Sequence, residues 1–531
     1  MERQKRVNTT NSTFSNMIKA GHLYVDKSKY VYNLVSGENT QFFFSRPRRM
    51  GKTLTVSTLE SVFQGRKELF DGLYISHTDY DWKQYPIIHI DFGDCPENTA
   101  SGLDGWLSRK IGAIASSYGK AIVSGLKSAE QFSDLITALS EKEQVVILVD
   151  EYDKVLSDNI FNPEADKLRE VLGNFYQVIK TKEASIRFAF VTGVTKYAKL
   201  SVFSKMNNLT DLTMDKDYAT MLGYTQEEFE SNFAGYIEQG IKDSGLPREA
   251  YLGKIRAMYN GLRFTPEAET VYNPVSIGKF FTTGHGVEFK GYWSETGGTQ
   301  LLMDIARKVN FNIVQDISTP MRETSLDVFD LQSLASENVS KSDLMALLLQ
   351  TGYLTIESMG QNEFEENEYH LRFPNKEVED SFSSRLLMAY AGNDAMPFLG
   401  YLLAAIRKGE TENVVEYLTS VLAGIPYPTK PGEYDFQGIL SVVFFLCEPR
   451  LGISEMHTSK GRIDMVLRTE KHLYVIEFKV DESAEKAMEQ IKENEYHERF
   501  LAEKGKVRIH LLGIALSSEK RNITGWKEEI V

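Results

Sequence analysis

The sequence predicts a multidomain α/β protein, and three observations carry that reading. Residues 1–215 alternate apolar strand-like runs with helical stretches, residues 216–425 turn largely helical and polar, and residues 426–531 return to strands around a helix. At 531 residues the chain is too long for one ordinary domain, and about 100–200 residues per domain suggests about three. Those three ranges are the expected divisions.

In the first range the strand candidates are Gln41–Ser45, Pro86–Phe92, Gln144–Val149, Arg187–Val191 and Leu209–Met214. The run Val145-Val146-Ile147-Leu148-Val149 is apolar on both faces, as a strand is in a parallel sheet covered by helices. In the second range Thr225–Ile241 fits a surface helix and Leu344–Gln350 another helix. Gly352–Ser358 and Tyr369–Phe373 read as two strands around the acidic turn Gln361–Glu368. A helix followed by a hairpin resembles a winged-helix module, although the acidic tip argues against a wing that reads DNA. Helical residues Glu377–Val421 lead to the breaker cluster Pro426, Pro428, Pro431 and Gly432, which connects to the third range.

Apolar residues at 42% and charged residues at 25% are an ordinary balance for a chain with buried cores. No stretch approaches the roughly 18 consecutive apolar residues needed to span a bilayer, and Met1–Asn11 is polar, without the apolar core of a secretory signal. Two distant cysteines, Cys95 and Cys447, give neither a disulfide framework nor a zinc site, and the nine histidines lack metal-ligand spacing. The expected location is the cytoplasm. The net charge of −14 repels nucleic acid at long range, so any contact with it requires local basic patches. Otherwise the acidity points to protein or nucleotide partners.

The first strand runs into Phe44-Ser45-Arg46-Pro47-Arg48-Arg49-Met50-Gly51-Lys52-Thr53, and a helix follows at once. Gly-Lys-Thr is the end of a phosphate-binding loop. Gly51 lets the backbone approach phosphate, Lys52 reaches the β- and γ-phosphates, and Thr53 offers a hydroxyl to Mg²⁺, while the helix N-terminus adds oriented N–H donors. The standard loop has a glycine where Arg46 stands, and a plain strand-to-helix turn also fits these residues. A second half of a nucleotide site favours the loop: the buried strand 145–149 closes in Asp150-Glu151. Asp150 would hold Mg²⁺ and Glu151 would orient the attacking water; the plainer alternative is a strand end whose acids cap the next helix. Thr192, at the tip of the next strand, is either a γ-phosphate sensor or a turn residue before Gly193. Arg46, Arg48 and Arg49 could meet phosphate or a neighbouring subunit in an oligomer, or stand solvated.

The run Phe44–Thr53 resembles the N-terminal motif of the bacterial AAA-ATPase-like family, whose members often carry a PD-(D/E)XK nuclease-superfamily domain at the C-terminus. Val149-Asp150-Glu151-Tyr152-Asp153, Phe190–Lys196, Tyr272-Asn273-Pro274 and Tyr292-Trp293 fit the same family, and the likeness covers nearly the whole chain. The resemblance implies ATP as ligand and makes Arg46 the family's own variant of the loop.

The third range contains Gly461–Arg468, Thr469–His472 and Leu473–Val480, which read as a β-hairpin. A turn centred between Glu470 and Lys471 sets Asp464 opposite Glu477, with Lys479 two residues on and therefore on the same face. The apolar sets, Ile463, Met465 and Leu467 with Tyr474, Ile476 and Phe478, then share the other face. Two carboxylates and a lysine suit Mg²⁺-dependent phosphodiester hydrolysis; an isolated Glu-x-Lys would read as an exposed ion pair. Asp-x12-Glu-x-Lys resembles the PD-(D/E)XK core, with Asp464, Glu477 and Lys479 at its motif positions. Glu455 lies upstream as a further acid. Gln490, on the helix carrying Ala484, Ala487, Met488 and Ile491, matches a glutamine that family often has, or is a solvated helix residue.

The function expected from these residues has two sites: ATP bound in the first range controls a Mg²⁺-dependent nuclease in the last. The rival is a nucleotide-dependent switch or scaffold whose nuclease-like domain binds nucleic acid or protein without cleaving.

Overall fold

The structure is a computed structural model. It describes residues 5–9, 12–123, 125–196, 208–293, 299–309, 311, 313, 315–326, 339–391, 396–424, 433–447, 452–458 and 461–531. The chain divides into two compact units, residues 1–295 with 321–378, and residues 296–320 with 379–531.

The first unit is built on a five-stranded parallel sheet of β1 (Gln41–Ser45), β2 (Ile87–Asp91), β3 (Val145–Asp150), β4 (Ile186–Gly193) and β5 (Thr210–Asp211), in the order β2-β3-β4-β1-β5. These are the five expected strands. Leu209–Met214 shrinks to two residues, because only Phe42 and Phe43 of β1 offer it ladder partners. All six residues of β3 are buried. On one face Val146 and Leu148 pack with Phe42, Phe44, Phe188 and Phe190 against Val56, Leu59 and Phe63 of helix Lys52–Phe63. On the other, Phe43 meets Tyr152 edge-on, and Tyr152 meets Tyr176 of helix Ala165–Thr181. Burying each such side chain contributes about 1.5–3 kcal/mol, so the apolar runs hold the strand ends in fixed positions.

The middle residues differ from expectation in one place. Thr225–Ile241 is two helices, Gln226–Asn232 and Ala234–Ser244, separated at Phe233. Thr225 and Glu228 form a reciprocal capping box at the first. Phe229, Phe233 and Ile237 are buried with Tyr251, Ile255, Tyr272 and Phe280, so this segment is an inner layer rather than a surface helix. The winged-helix-like element is present: helix Lys341–Thr351 precedes β7 (Thr355–Gln361) and β8 (Asn367–Arg372), and β6 (Met321–Arg322) joins them in the order β6-β8-β7.

The second unit holds a mixed sheet of β9 (Gly452–Thr458), β10 (Gly461–Arg468), β11 (His472–Val480), β12 (Arg508–Ser517) and β13 (Asn522–Ile530), in the order β13-β12-β11-β10-β9. Only β11 and β12 pair in parallel, and helix Ala484–Glu493 lies between them in the chain. That helix sits close over Gly513. A Cβ there would stand 2.7 Å from the Ala484 carbonyl oxygen and 2.9 Å from the Met488 nitrogen, so any other residue would push the helix off the sheet. The breaker cluster Pro426–Gly432 lies outside the described residues.

One buried carboxylate ties three segments of the first unit together. Glu377, 2% exposed, accepts the Ser276 hydroxyl at 2.7 Å, the Trp293 N–H at 2.7 Å and the Tyr292 N–H. Removing it leaves buried donors unpaired, at about 2–3 kcal/mol. Glu377→Ala should therefore lower the thermal unfolding midpoint by several degrees. An unchanged melting curve would contradict this anchoring role.

Candidate functional site

The loop between β1 and helix Lys52–Phe63 turns through left-handed backbone at Arg49 (φ 67°) and Gly51 (φ 108°). Only glycine holds the second angle without strain, which explains Gly51. Lys52 is 8% exposed, and its ammonium donates to the Arg46 and Pro47 carbonyls at 2.8 and 3.0 Å. Burial pulls Lys52 down to about 8, against the opposing pull of Asp150, Asp153 and Glu151. Lys52 and the β3 acids therefore occupy one neighbourhood, although β4 separates β1 from β3 in the sheet.

Asp150 ends β3, buried. Its Oδ1 accepts the Glu151 N–H at 2.9 Å, while its Oδ2 has no partner at hydrogen-bond geometry among the described residues. Burial raises its pKa, and the Thr53 hydroxyl draws it back. Glu151, held at φ 51°, is also raised, first by burial and then by Asp150 and Asp91.

Asp91 escaped the sequence reading. It ends β2 directly beside Asp150 in the ladder, and its Oδ1 accepts the Gly93 N–H at 2.7 Å. Its signal was an apolar run closing in an acid, as in β3, but strand order cannot be read from a sequence. Asp153 stands in the family-like segment Val149–Asp153, but the sequence assigns it no role. It accepts the Thr195 N–H at 2.8 Å and the Thr195 hydroxyl at 2.6 Å, fixing the segment after β4.

Two residues expected to meet nucleotide are placed otherwise. Thr192, fully buried, donates its hydroxyl to the Phe44 carbonyl at 2.6 Å and so joins β4 to β1 instead of facing phosphate. Its strand is covered on both faces, which leaves the hydroxyl only a backbone partner. Arg46 is 1% exposed and its guanidinium is turned into the core, donating to the Thr213 carbonyl at 2.7 Å. Only the backbone of Arg46 is left at the loop.

In the second unit β10 pairs β11 with Met465 against Ile476 and Val466 against Val475, so the next step outward sets Asp464 against Glu477. Asp464 Oδ2 accepts the Phe478 N–H at 2.9 Å. Glu477 is 1% exposed; its Oε1 stands 3.4 Å from the Lys479 ammonium, and its Oε2 is buried without a partner among the described residues. Burial pushes Glu477 up to about 8, Asp464 adds to the rise, and Lys479 opposes it.

The two faces of this hairpin are less distinct than expected. Val466, Leu473 and Val475 share the face of the carboxylates by alternation and pack with Met488 and Ile491 of helix Ala484–Glu493. Met465, Leu467, Tyr474, Ile476 and Phe478 on the other face are buried as well. Helix cover on the carboxylate side desolvates Glu477. Gln490, on that helix, donates to the Tyr496 hydroxyl at 3.3 Å. Glu455 lies on β9, with its side chain outside the described residues.

Among the described residues no group of three or more His, Cys, Asp or Glu forms a metal cage. Mg²⁺ does not need one, because it commonly takes one or two carboxylates and completes its shell with water and substrate phosphate. Asp150 Oδ2 and Glu477 Oε2, each without a partner at hydrogen-bond geometry among the described residues, fit that role. Among the described residues no helix is long and apolar enough to cross a membrane.

Residues 9–203 match the model of a family described as predicted AAA-ATPase. Residues 432–526 match that of the PD-(D/E)XK nuclease superfamily. A protein of Azotobacter chroococcum mcd 1, named "Uncharacterized protein in vnfD 5'region", is 34% identical over 525 residues, covering 96% of this chain and 95% of that protein. The chain therefore belongs to the family of predicted AAA-ATPases that carry a C-terminal domain of the PD-(D/E)XK nuclease superfamily.

Proposed function

We propose that the chain hydrolyses ATP at the loop of Lys52, and that ATP occupancy controls Mg²⁺-dependent cleavage of nucleic acid at Asp464, Glu477 and Lys479. The divisions 1–215, 216–425 and 426–531 belong to the same proposal, with the middle range transmitting the nucleotide state. The observation that carries the reading is common to both sites: Asp150 Oδ2 and Glu477 Oε2 are buried acceptors without a partner among the described residues. An unmet buried acceptor costs about 1–3 kcal/mol and more when charged, and a divalent cation offsets that cost. Bound Mg²⁺ supplies charge neutralisation on phosphate oxygens and a more acidic water.

In this account Lys52 exchanges its two loop carbonyls for the β- and γ-phosphates. Gly51 would admit the phosphates, and Thr53 with Asp150 would hold the cation. Glu151 orients the attacking water. In the second unit Asp464 and Glu477 would hold the cation, Lys479 would position the water or, as the neutral amine, take its proton, and Gln490 would support the site from the covering helix. The net charge of −14 favours a second reading, a nucleotide-dependent scaffold whose nuclease-like domain binds without cleaving. Incubation of the full chain with DNA and RNA, with and without ATP and Mg²⁺ or Mn²⁺, separates the two.

At the first site Lys52→Ala should weaken a fluorescent ATP analogue about tenfold or more, whereas Glu151→Gln should bind it and release phosphate about tenfold more slowly. Equal affinity in Lys52→Ala, or wild-type turnover in Glu151→Gln, removes the corresponding role.

At the second site the sign of the pH dependence follows from Glu477. Its folded value of about 8 lies above the ordinary 4.5. Between those values the folded protein keeps a proton that the unfolded chain has released, so stability falls as pH rises through that window. Cation binding must expel the proton, so Mn²⁺ affinity should rise with pH, approaching tenfold per unit, and level off above about 8. Calorimetry in buffers of different ionisation enthalpy checks the proton release. A pH-independent affinity contradicts the assignment, as does nucleic-acid cleavage at wild-type rate by Glu477→Ala.

A further inference from the structure

We infer that Arg46 is a positioning residue that fastens the phosphate loop to residues 213–218 and to Phe264, so that the loop's fitness for ATP depends on groups outside the nucleotide site. The inference rests on the reading of this loop as the ATP site.

Glycine is not required at position 46, because the left-handed backbone of the loop falls at Arg49 and Gly51. The position is free to carry a side chain, and the one it carries is buried with uncommon thoroughness. The guanidinium donates to the Ser45 carbonyl at 2.9 Å, the Thr213 carbonyl at 2.7 Å and the Tyr218 carbonyl at 3.3 Å. It lies between two rings, 4.3 Å from the centroid of Phe44 and 4.1 Å from that of Phe264. A buried cation needs compensation. Here three carbonyl dipoles and two π faces supply it, and a planar guanidinium uses both kinds of partner at once. Burial lowers the Arg46 pKa to about 9, with Asp211 acting against the fall.

The main chain of the same residue faces the opposite way. Its carbonyl, with that of Pro47, receives the Lys52 ammonium. Arg46 therefore links the group that would meet phosphate to the turn after β5 and to Phe264. Other contacts reinforce the attachment. The Ser45 N–H donates to the Thr213 hydroxyl at 3.3 Å, and Asn273 Nδ2 donates to Met50 Sδ at 3.5 Å. Both ends of the loop are thus held by residues from 213 to 273, and a shift there moves the carbonyls that hold Lys52.

The test uses the full chain and four variants: Arg46→Gly, which restores the pattern glycine, Arg46→Lys, which keeps the charge, Phe264→Ala, which removes one ring without touching the loop, and the double variant Arg46→Gly/Phe264→Ala. Affinity for a fluorescent ATP analogue, KM and kcat for phosphate release are measured for each. Arg46→Gly should weaken the analogue about tenfold, and Arg46→Lys should recover little, since an ammonium cannot reach three carbonyls and stack in one plane. Phe264→Ala should raise KM severalfold with kcat within about twofold, and the double variant should be no worse than Arg46→Gly alone, because the two residues share one contact. Wild-type affinity in Arg46→Gly overturns the inference. So do additive effects in the double variant, or full rescue by lysine. If Arg46→Gly does not fold, the KM shift of Phe264→Ala decides alone, and its absence overturns the inference. Lys52→Ala is the control: if it binds the analogue as wild type does, the ATP-site reading itself fails, whereas a weakened Lys52→Ala beside a normal Arg46→Gly defeats only the role of Arg46.

Discussion

Ionisable side chains are held in or beside apolar strands, where burial makes their charge costly, in both units. Lys52, Asp150 and Glu477 are each pushed toward their neutral forms, with burial the largest cause in every case. The strands create this condition. β3 is buried along its whole length, and its last residue is an acid. β11 is buried as far as Phe478, and Glu477 stands under a helix that Gly513 admits to close range. The same apolar packing that secures the sheets therefore lowers the Lys52 pKa and raises those of the acids, which is the state the proposed cation and phosphate roles start from.

The two units reach that condition by different means. In the first, five parallel strands bring their carboxyl ends to one edge, where open α/β sheets bind ligands. Lys52 and Asp150 are close because loops from strands on either side of β4 emerge together. In the second, a hairpin register does the work. The Asp464 carboxylate meets the Phe478 N–H beside Glu477, so a slip of one residue would separate the two acids.

Much of this was legible in the residues. Gln41–Ser45 was placed to the residue, because an aromatic run ending at a polar loop has one reading as a buried strand. The 464–477 pairing followed from alternation and one turn. What stayed hidden depended on distant partners. A charged loop residue such as Arg46 reads as a phosphate contact or a solvated charge until the carbonyls of Thr213 and Tyr218 and the ring of Phe264 are placed around it. Thr192 reads as a free hydroxyl until Phe44 is set beside it. Asp91 gains meaning only when β2 lies next to β3, and the break at Phe233 reflects an aromatic core that local periodicity does not reveal.

Asp150 Oδ2 and Glu477 Oε2, buried without a hydrogen-bond partner among the described residues, are the atoms proposed to mark two cation sites. Mn²⁺ stoichiometry by electron paramagnetic resonance, with ATP present, tests that proposal most directly. Two ions should bind per chain, one lost in Asp150→Asn and the other in Glu477→Gln, each variant keeping the ion of the other site. A stoichiometry that neither substitution changes would contradict it.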